Sequence, residues 1–153
     1  ARANGRTIAS RVIRQRTVAC SDRQAAVFGV EPGKELLELT RLRMLDGTPV
    51  MIETTLVNDA YGRLQGHDFS RESLYEVLKG YGAEVFSGAE KIRVTFAEEQ
   101  EAKLLGVEKG TALFYLSGTV CDRQQRVIEM FQTVARPDKV RYSSRLKRRW
   151  ETG

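Results

Sequence analysis

Apolar and polar residues alternate from Glu35 to Leu45, placing Leu37, Leu39, Arg41, Arg43 and Leu45 on one face. That period of two predicts a strand. Asp46-Gly47 follows as a strong hairpin turn, and Thr48 to Val57 returns as the second strand. A second hairpin is expected from Thr111 to Val120 and Arg126 to Ala135, around a turn at Cys121 to Gln125. Ile92, Val94 and Phe96 share one face of a further strand, and Arg11 to Val18 alternates loosely enough to add another. Helical spacing replaces alternation at Leu74, Val77 and Leu78, with Ser70 as the expected N-cap and Gly80-Tyr81-Gly82 as the stop. Shorter helices are expected after Ser21, closed by Gly29, and over 97–105, closed by Gly106. Residues 58–69 read as a loop, interrupted by Tyr61-Gly62 and Gly66. The segment after Pro137 reads as a short strand running into a polar, basic end.

The chain nearly repeats itself. Gly29-Val30-Glu31-Pro32-Gly33 returns as Gly106-Val107-Glu108-Lys109-Gly110, and Leu36, Leu39 and Thr40 match Leu113, Leu116 and Ser117. After one deleted residue, Ile52-Glu53 matches Ile128-Glu129. Each copy is a short helix, a tight turn and a hairpin. Two copies are too few for a solenoid, so they imply one pseudo-symmetric domain with a natural ligand site between its halves. Hairpins interleaved with short helices define an α+β fold, a mainly antiparallel sheet covered on one side.

Composition narrows the function classes. The 153 residues suit one domain with a real core. The net charge of +5 is concentrated at the ends. Residues 1–23 hold six arginines against one aspartate, and 136–153 hold seven Lys or Arg against two acids, so the body between is net acidic. Basic ends around an acidic body do not form a nucleic-acid-binding face. The 145–150 tail, Arg-Leu-Lys-Arg-Arg-Trp, lacks the stacking surface that RNA binding requires. Cys20 and Cys121 form no paired motif and fit packing roles in a reducing cytoplasm, and a single His67 rules out most histidine-rich metal sites. No apolar run is long enough for a membrane span, and the Arg-rich start without an initiator Met reads as an excised fragment.

Charges inside apolar strands mark the candidate chemistry. Arg41 and Arg43 sit about 7 Å apart on one strand face, close enough to grip one phosphate or carboxylate between two guanidinium forks. Glu129 shares a face with Val127, Phe131 and Thr133, and the repeat makes Glu53 its counterpart. Buried charges are costly unless paired, so either these arginines and glutamates satisfy one another or a ligand completes them. Register decides part of this. A two-residue loop pairs Leu45 with Thr48 and turns Glu53 away from Arg41, whereas a three-residue loop or a bulge sets Arg41 opposite Glu53. Ser73 is expected in the first turn of the helix, where free N–H groups favour an anion, with Tyr75 beside it. The bland alternatives are an ordinary polar residue and a half-buried aromatic. The sequence has no nucleophile elbow, Cys-His pair, phosphate-cradling glycine loop or metal-ligand spacing.

At these residues the chain resembles a known module. Thr-Arg-Leu-Arg-Met-Leu-Asp-Gly-Thr-Pro-Val-Met-Ile-Glu over 40–53, Ser73-Leu74-Tyr75, Ala97 to Gly110 and Asp122 to Glu129 are together similar to the UTRA domain of HutC-type, GntR-family transcription regulators. The resemblance covers roughly 17–143. It implies a chorismate-lyase-like fold with a sheet of about six strands, a homodimer in the cytoplasm, no cofactor, and a separate N-terminal winged helix-turn-helix for operator DNA. Residues 1–16 would then be the remnant of a linker from that missing domain, and 144–153 a basic C-terminal tail. The resemblance further implies that Arg41 and Arg43 hold the anionic group of a small metabolite effector, with Ser73 assisting and Tyr75 lining the pocket. Glu53 and Glu129 would accept hydrogen bonds from the same ligand. Family members often carry an aromatic pair and Arg-Gly-Asp-Arg-Tyr after the second glutamate. Thr133 to Asp138 replaces that here, which points away from an amino-sugar phosphate.

Three functions stay open: an effector-sensing domain of a transcriptional repressor, a lyase releasing pyruvate from chorismate, which the fold also suggests, and a purely structural dimerisation module.

Overall fold

The structure is a computed structural model that describes residues 8–59 and 64–147. The expected turn at Tyr61-Gly62 and the residues from Arg148 to the end lie outside that range.

Local chemistry sets most element ends. Helix α1 (Asp22–Phe28) starts at Ser21, whose hydroxyl accepts from the Gln24 N–H while the Gln24 side chain accepts from the Ser21 N–H. It ends where Gly29 turns left-handed at φ 68°. Helix α3 (Glu99–Leu105) repeats this, with Glu98 as its N-cap and Gly106 at φ 69°. Strands β2 (Glu35–Leu45) and β3 (Thr48–Val57) flank the two-residue loop Asp46-Gly47, both with positive φ, as a type I′ hairpin demands.

Six strands form one antiparallel sheet in the order β1-β2-β3-β6-β5-β4, with β1 at Ile8–Ala19, β4 at Ser87–Phe96, β5 at Ala112–Cys121 and β6 at Val127–Ala135. The duplicated units meet at its centre. Glu53 pairs with Thr133, Thr55 with Phe131 and Val57 with Glu129 across β3 and β6. Because Glu53 and Glu129 are repeat equivalents, these pairs place a pseudo-twofold axis at Thr55 and Phe131. The expected α+β, six-stranded sheet is therefore the architecture observed.

Both faces of the sheet are covered, not one. Helices α1 and α3 share a face: Ala25 and Phe28 pack with Leu36, and Ala102 and Leu105 with Leu42, Ile52, Leu113 and Val134. On the opposite face a 3-10 turn (Leu64–Gly66) and α2 (Leu74–Gly80) bury Leu64, Phe69, Leu74 and Leu78 against Leu37, Leu39 and Val57. Strand β2 has apolar residues at both parities, Leu36 and Leu42 as well as Leu37 and Leu39, which is the mark of a strand buried on both sides. The second face is covered over one half only, and Ile92, Val94 and Phe96 on β4 stay 50%, 61% and 64% exposed.

Three boundaries differ from expectation. The segment assigned to a linker, 1–16, is part of the domain from Ile8 onward, because β1 is laddered to β2 from Ile8↔Leu45 to Ala19↔Glu35. Its arginines are tolerated because β1 is an edge strand with solvent beside it. Helix α2 is capped by Ser73, not Ser70, because Asp68 captures both the N–H and the hydroxyl of Ser70 in a tight turn. Among the described residues after Pro137 no strand forms; residues 140–147 lack regular structure, and Tyr142 packs edge-on against Phe114.

Candidate functional site

The hairpin register combines both alternatives that the sequence left open. The loop has two residues, with Leu45 paired to Thr48, yet Arg41 faces Glu53, because Val50 is bulged out between the pairs Arg43↔Met51 and Met44↔Pro49. The bulge turns the glutamate of β3 onto the face of the β2 arginines.

These side chains open into a cavity of about 880 Å³ on the α2 face of the sheet. All six expected residues line it: Arg41, Arg43, Glu53, Ser73, Tyr75 and Glu129. One Glu53 carboxylate oxygen takes both arginines, at 3.6 Å from Arg41 Nη2 and 3.3 Å from Arg43 Nη1. Two guanidinium groups thus share one carboxylate, and positive charge is left over. Burial pushes the Arg41 pKa down, opposed chiefly by Glu53. The cation is short of solvation even with its partner in place.

The other end of the cavity is acidic. Glu129 is 5% exposed and projects from β6 opposite Val57. Tyr75 donates its hydroxyl to Glu129 Oε1 at 2.6 Å, and Thr55 donates to Oε2. No cation among the described residues forms an ion pair with it. The Tyr75 hydroxyl is held well above its ordinary pKa, first by burial and then by its bond to Glu129. Ser73 reaches the cavity but as the N-cap: its hydroxyl accepts from the Glu76 N–H at 3.4 Å. With only seven residues in α2, the helix start is a weaker anion site than the sequence suggested.

Several lining residues were missed. Thr55 was legible, since the period of two that puts Glu53 on this face also puts Thr55 there. Glu90 follows from Ile92 by the same rule. Arg71 and Glu72 enter because the 68–72 segment is folded back: His67 Nδ1 lies 3.1 Å from Glu72 Oε1, and its Nε2 lies 2.7 Å from the Tyr81 hydroxyl. No local pattern announces Tyr142, which arrives through the irregular C-terminal segment. No group of three or more metal-ligating side chains occurs among the described residues.

A twisted antiparallel sheet with a half-buried polar cavity under a short helix defines a small-molecule-binding α+β domain. Residues 3–141 match the family model described as the UTRA domain, and the chain belongs to that family. It is 29% identical over 121 residues to the HTH-type transcriptional repressor PhnF of Mycolicibacterium smegmatis, covering 78% of this chain and 50% of the relative. It is 25% identical over 150 residues to the HTH-type transcriptional repressor NagR of Bacillus subtilis, covering 95% of this chain and 61% of the relative. The chain therefore spans between half and two-thirds of these repressors. The crystal structure of the effector domain of PhnF from Mycobacterium smegmatis superposes with a TM-score of 0.91 at 25% identity, over 97% of this chain and 92% of that one.

Proposed function

We propose that the cavity is the effector site of a GntR-family, HutC-type transcriptional repressor, and that this domain senses a small anionic metabolite in the cytoplasm. Arg41 and Arg43 hold the anion, Glu53 and Glu129 accept hydrogen bonds from the rest of the ligand, and Ser73 and Tyr75 line its path. One observation carries this: two partly buried guanidinium groups share a single carboxylate at the wall of an 880 Å³ cavity, an arrangement completed by one more negative group. A structural ion pair has no need of the second arginine or of the space.

The domain works as a homodimer, and operator DNA is bound through a separate domain of the whole regulator. Both relatives are named transcriptional repressors, which supports this. The exposed apolar row Ile92, Val94 and Phe96 gives the sheet a face suited to a second copy. Ligand binding would bias the dimer only through contacts that differ between two arrangements. The names of the relatives give the lyase reading no support.

Calorimetric titration with phosphorylated and carboxylated metabolites tests the proposal, with Arg43→Met as control. Binding to the wild type that Arg43→Met weakens by tenfold or more supports it. Equal binding by both proteins overturns it. Chorismate is incubated in parallel, and sustained pyruvate release would make the domain an enzyme instead of a sensor.

A further inference from the structure

We infer that the face of the sheet under α1 and α3 carries a second anion site, built from Arg23, Lys91 and Arg93, that takes a phosphate group. It lies across the sheet from the effector cavity and does not rest on the effector reading.

The internal repeat carries the argument. The two halves repeat at the 77-residue spacing of Gly29 and Gly106, and at that spacing Arg14, Arg16, Glu38 and Thr40 correspond to Lys91, Arg93, Tyr115 and Ser117. The ladders keep the correspondence. Arg14 pairs with Thr40 and Arg16 with Glu38 at one edge of the sheet; Lys91 pairs with Ser117 and Arg93 with Tyr115 at the other. In the first half both cations share one Glu38 oxygen, 3.6 Å from Arg14 Nη1 and 3.0 Å from Arg16 Nε. The second half keeps the two cations and puts Tyr115 where that carboxylate would stand. The Arg93 guanidinium carbon lies 5.0 Å from the centre of the Tyr115 ring. The ring orients the guanidinium but brings no counter-charge.

A third cation joins them. Strand β4 sends alternate residues to opposite faces, so Glu90 lines the effector cavity while Lys91 and Arg93 point to the helix side, about 7 Å apart. Arg23 approaches from α1, and with the Ser117 hydroxyl these side chains line a cleft of about 570 Å³. None of the three cations forms an ion pair among the described residues. They form a positive island on a body, residues 24–135, that is net acidic. Two guanidinium forks and one ammonium, converging from a helix and a strand, suit an oxyanion with several oxygens and more than one charge. A planar monocarboxylate would engage only part of the set.

The test adds inorganic phosphate to the isotope-labelled domain and follows the amide NMR spectrum, with ionic strength held constant by sodium chloride. Saturable shifts are expected at Lys91, Ile92, Arg93 and Ser117, resolved from any at Arg41 and Arg43. Arg23→Gln combined with Lys91→Gln, at two exposed positions, should weaken binding at the cleft at least tenfold. Tyr115→Glu restores the carboxylate of the first half and should weaken it likewise. Methyl phosphate separates the two sources of the group: tighter binding than inorganic phosphate assigns the cleft to a phosphate ester, weaker binding to free phosphate, and either supports the site. Acetate binding as tightly as phosphate overturns the assignment, as does an affinity unchanged in the Arg23→Gln, Lys91→Gln protein. Shifts confined to the cavity also overturn it, while leaving the effector reading intact.

Discussion

Glu53 sits between two arginines, and replacing it by glutamine should expose what holds them. The 3.6 Å and 3.3 Å contacts to one oxygen mean that the two guanidinium nitrogens are at most about 7 Å apart. At an effective dielectric of about 20, each contact is worth roughly 5 kcal/mol of gross attraction, and the mutual repulsion of the arginines about 2 kcal/mol. Desolvation and side-chain ordering cancel most of the attraction, since the three side chains are 11%, 26% and 30% exposed. Glu53→Gln removes both attractions and leaves the repulsion, so a loss of about 2 kcal/mol is expected, or roughly 4–8 °C in Tm for a domain of this size. Arg41→Met behaves differently. It keeps the Arg43 pair, removes the repulsion and relieves a buried cation, so its stability should stay within about 1 kcal/mol of wild type. Urea denaturation followed by circular dichroism reads both. Inorganic phosphate should also stabilise Glu53→Gln more than wild type, because no carboxylate then competes with it for the two guanidinium groups. If Arg41→Met loses as much as Glu53→Gln, the cluster is a structural ion pair and not a site awaiting an anion.

Other consequences are equally accessible. The raised Tyr75 pKa means that above pH 10 an unfolded tyrosine releases a proton that the native one keeps, so stability should fall as pH rises past 10. Tyr75→Phe should flatten that alkaline decline in thermal melts taken at successive pH values. Gly118→Ala puts a methyl 1.9 Å from the Ala89 carbonyl oxygen, so β4 and β5 must separate; a loss of about 1–3 kcal/mol is expected by chemical denaturation. Val94→Asp replaces a side chain that is already 61% exposed, so the fold should be retained. If the proposed homodimer forms through this row, sedimentation velocity should nevertheless find a dimer for the wild type and a monomer for the variant.

Much of the fold is written locally. The ends of β2 and β3 and the caps of α1 follow from alternation, Asp46-Gly47, Ser21 and Gly29, because each is fixed by neighbours within a few residues. The site is legible for the same reason wherever period-two alternation carries it, as for Arg41, Arg43 and Glu129. The Val50 bulge is not, since one extra residue in a ladder depends on what pairs across it. Nor is the choice of Ser73 over Ser70 as the cap, because two serines compete and the Asp68 side chain decides. The alternation from Arg11 to Val18 announced part of β1, but not that it begins at Ile8, because its length is set by pairing with β2 and not by its own sequence. Coverage of the second face rests on contacts of α2 and Phe69 with Leu37 and Leu39, and no single segment reveals those.

The most direct test is a thermal-shift screen of this domain against a metabolite library, run in parallel on wild type and on Arg41→Met combined with Glu129→Gln. An effector at a hundredfold its Kd should stabilise the wild type by about 2.7 kcal/mol. That is roughly 5–11 °C for a domain of this size, and the double variant should lose it. Stabilisation of equal size in both proteins, or no stabilising metabolite at all, would contradict an effector site at this cavity.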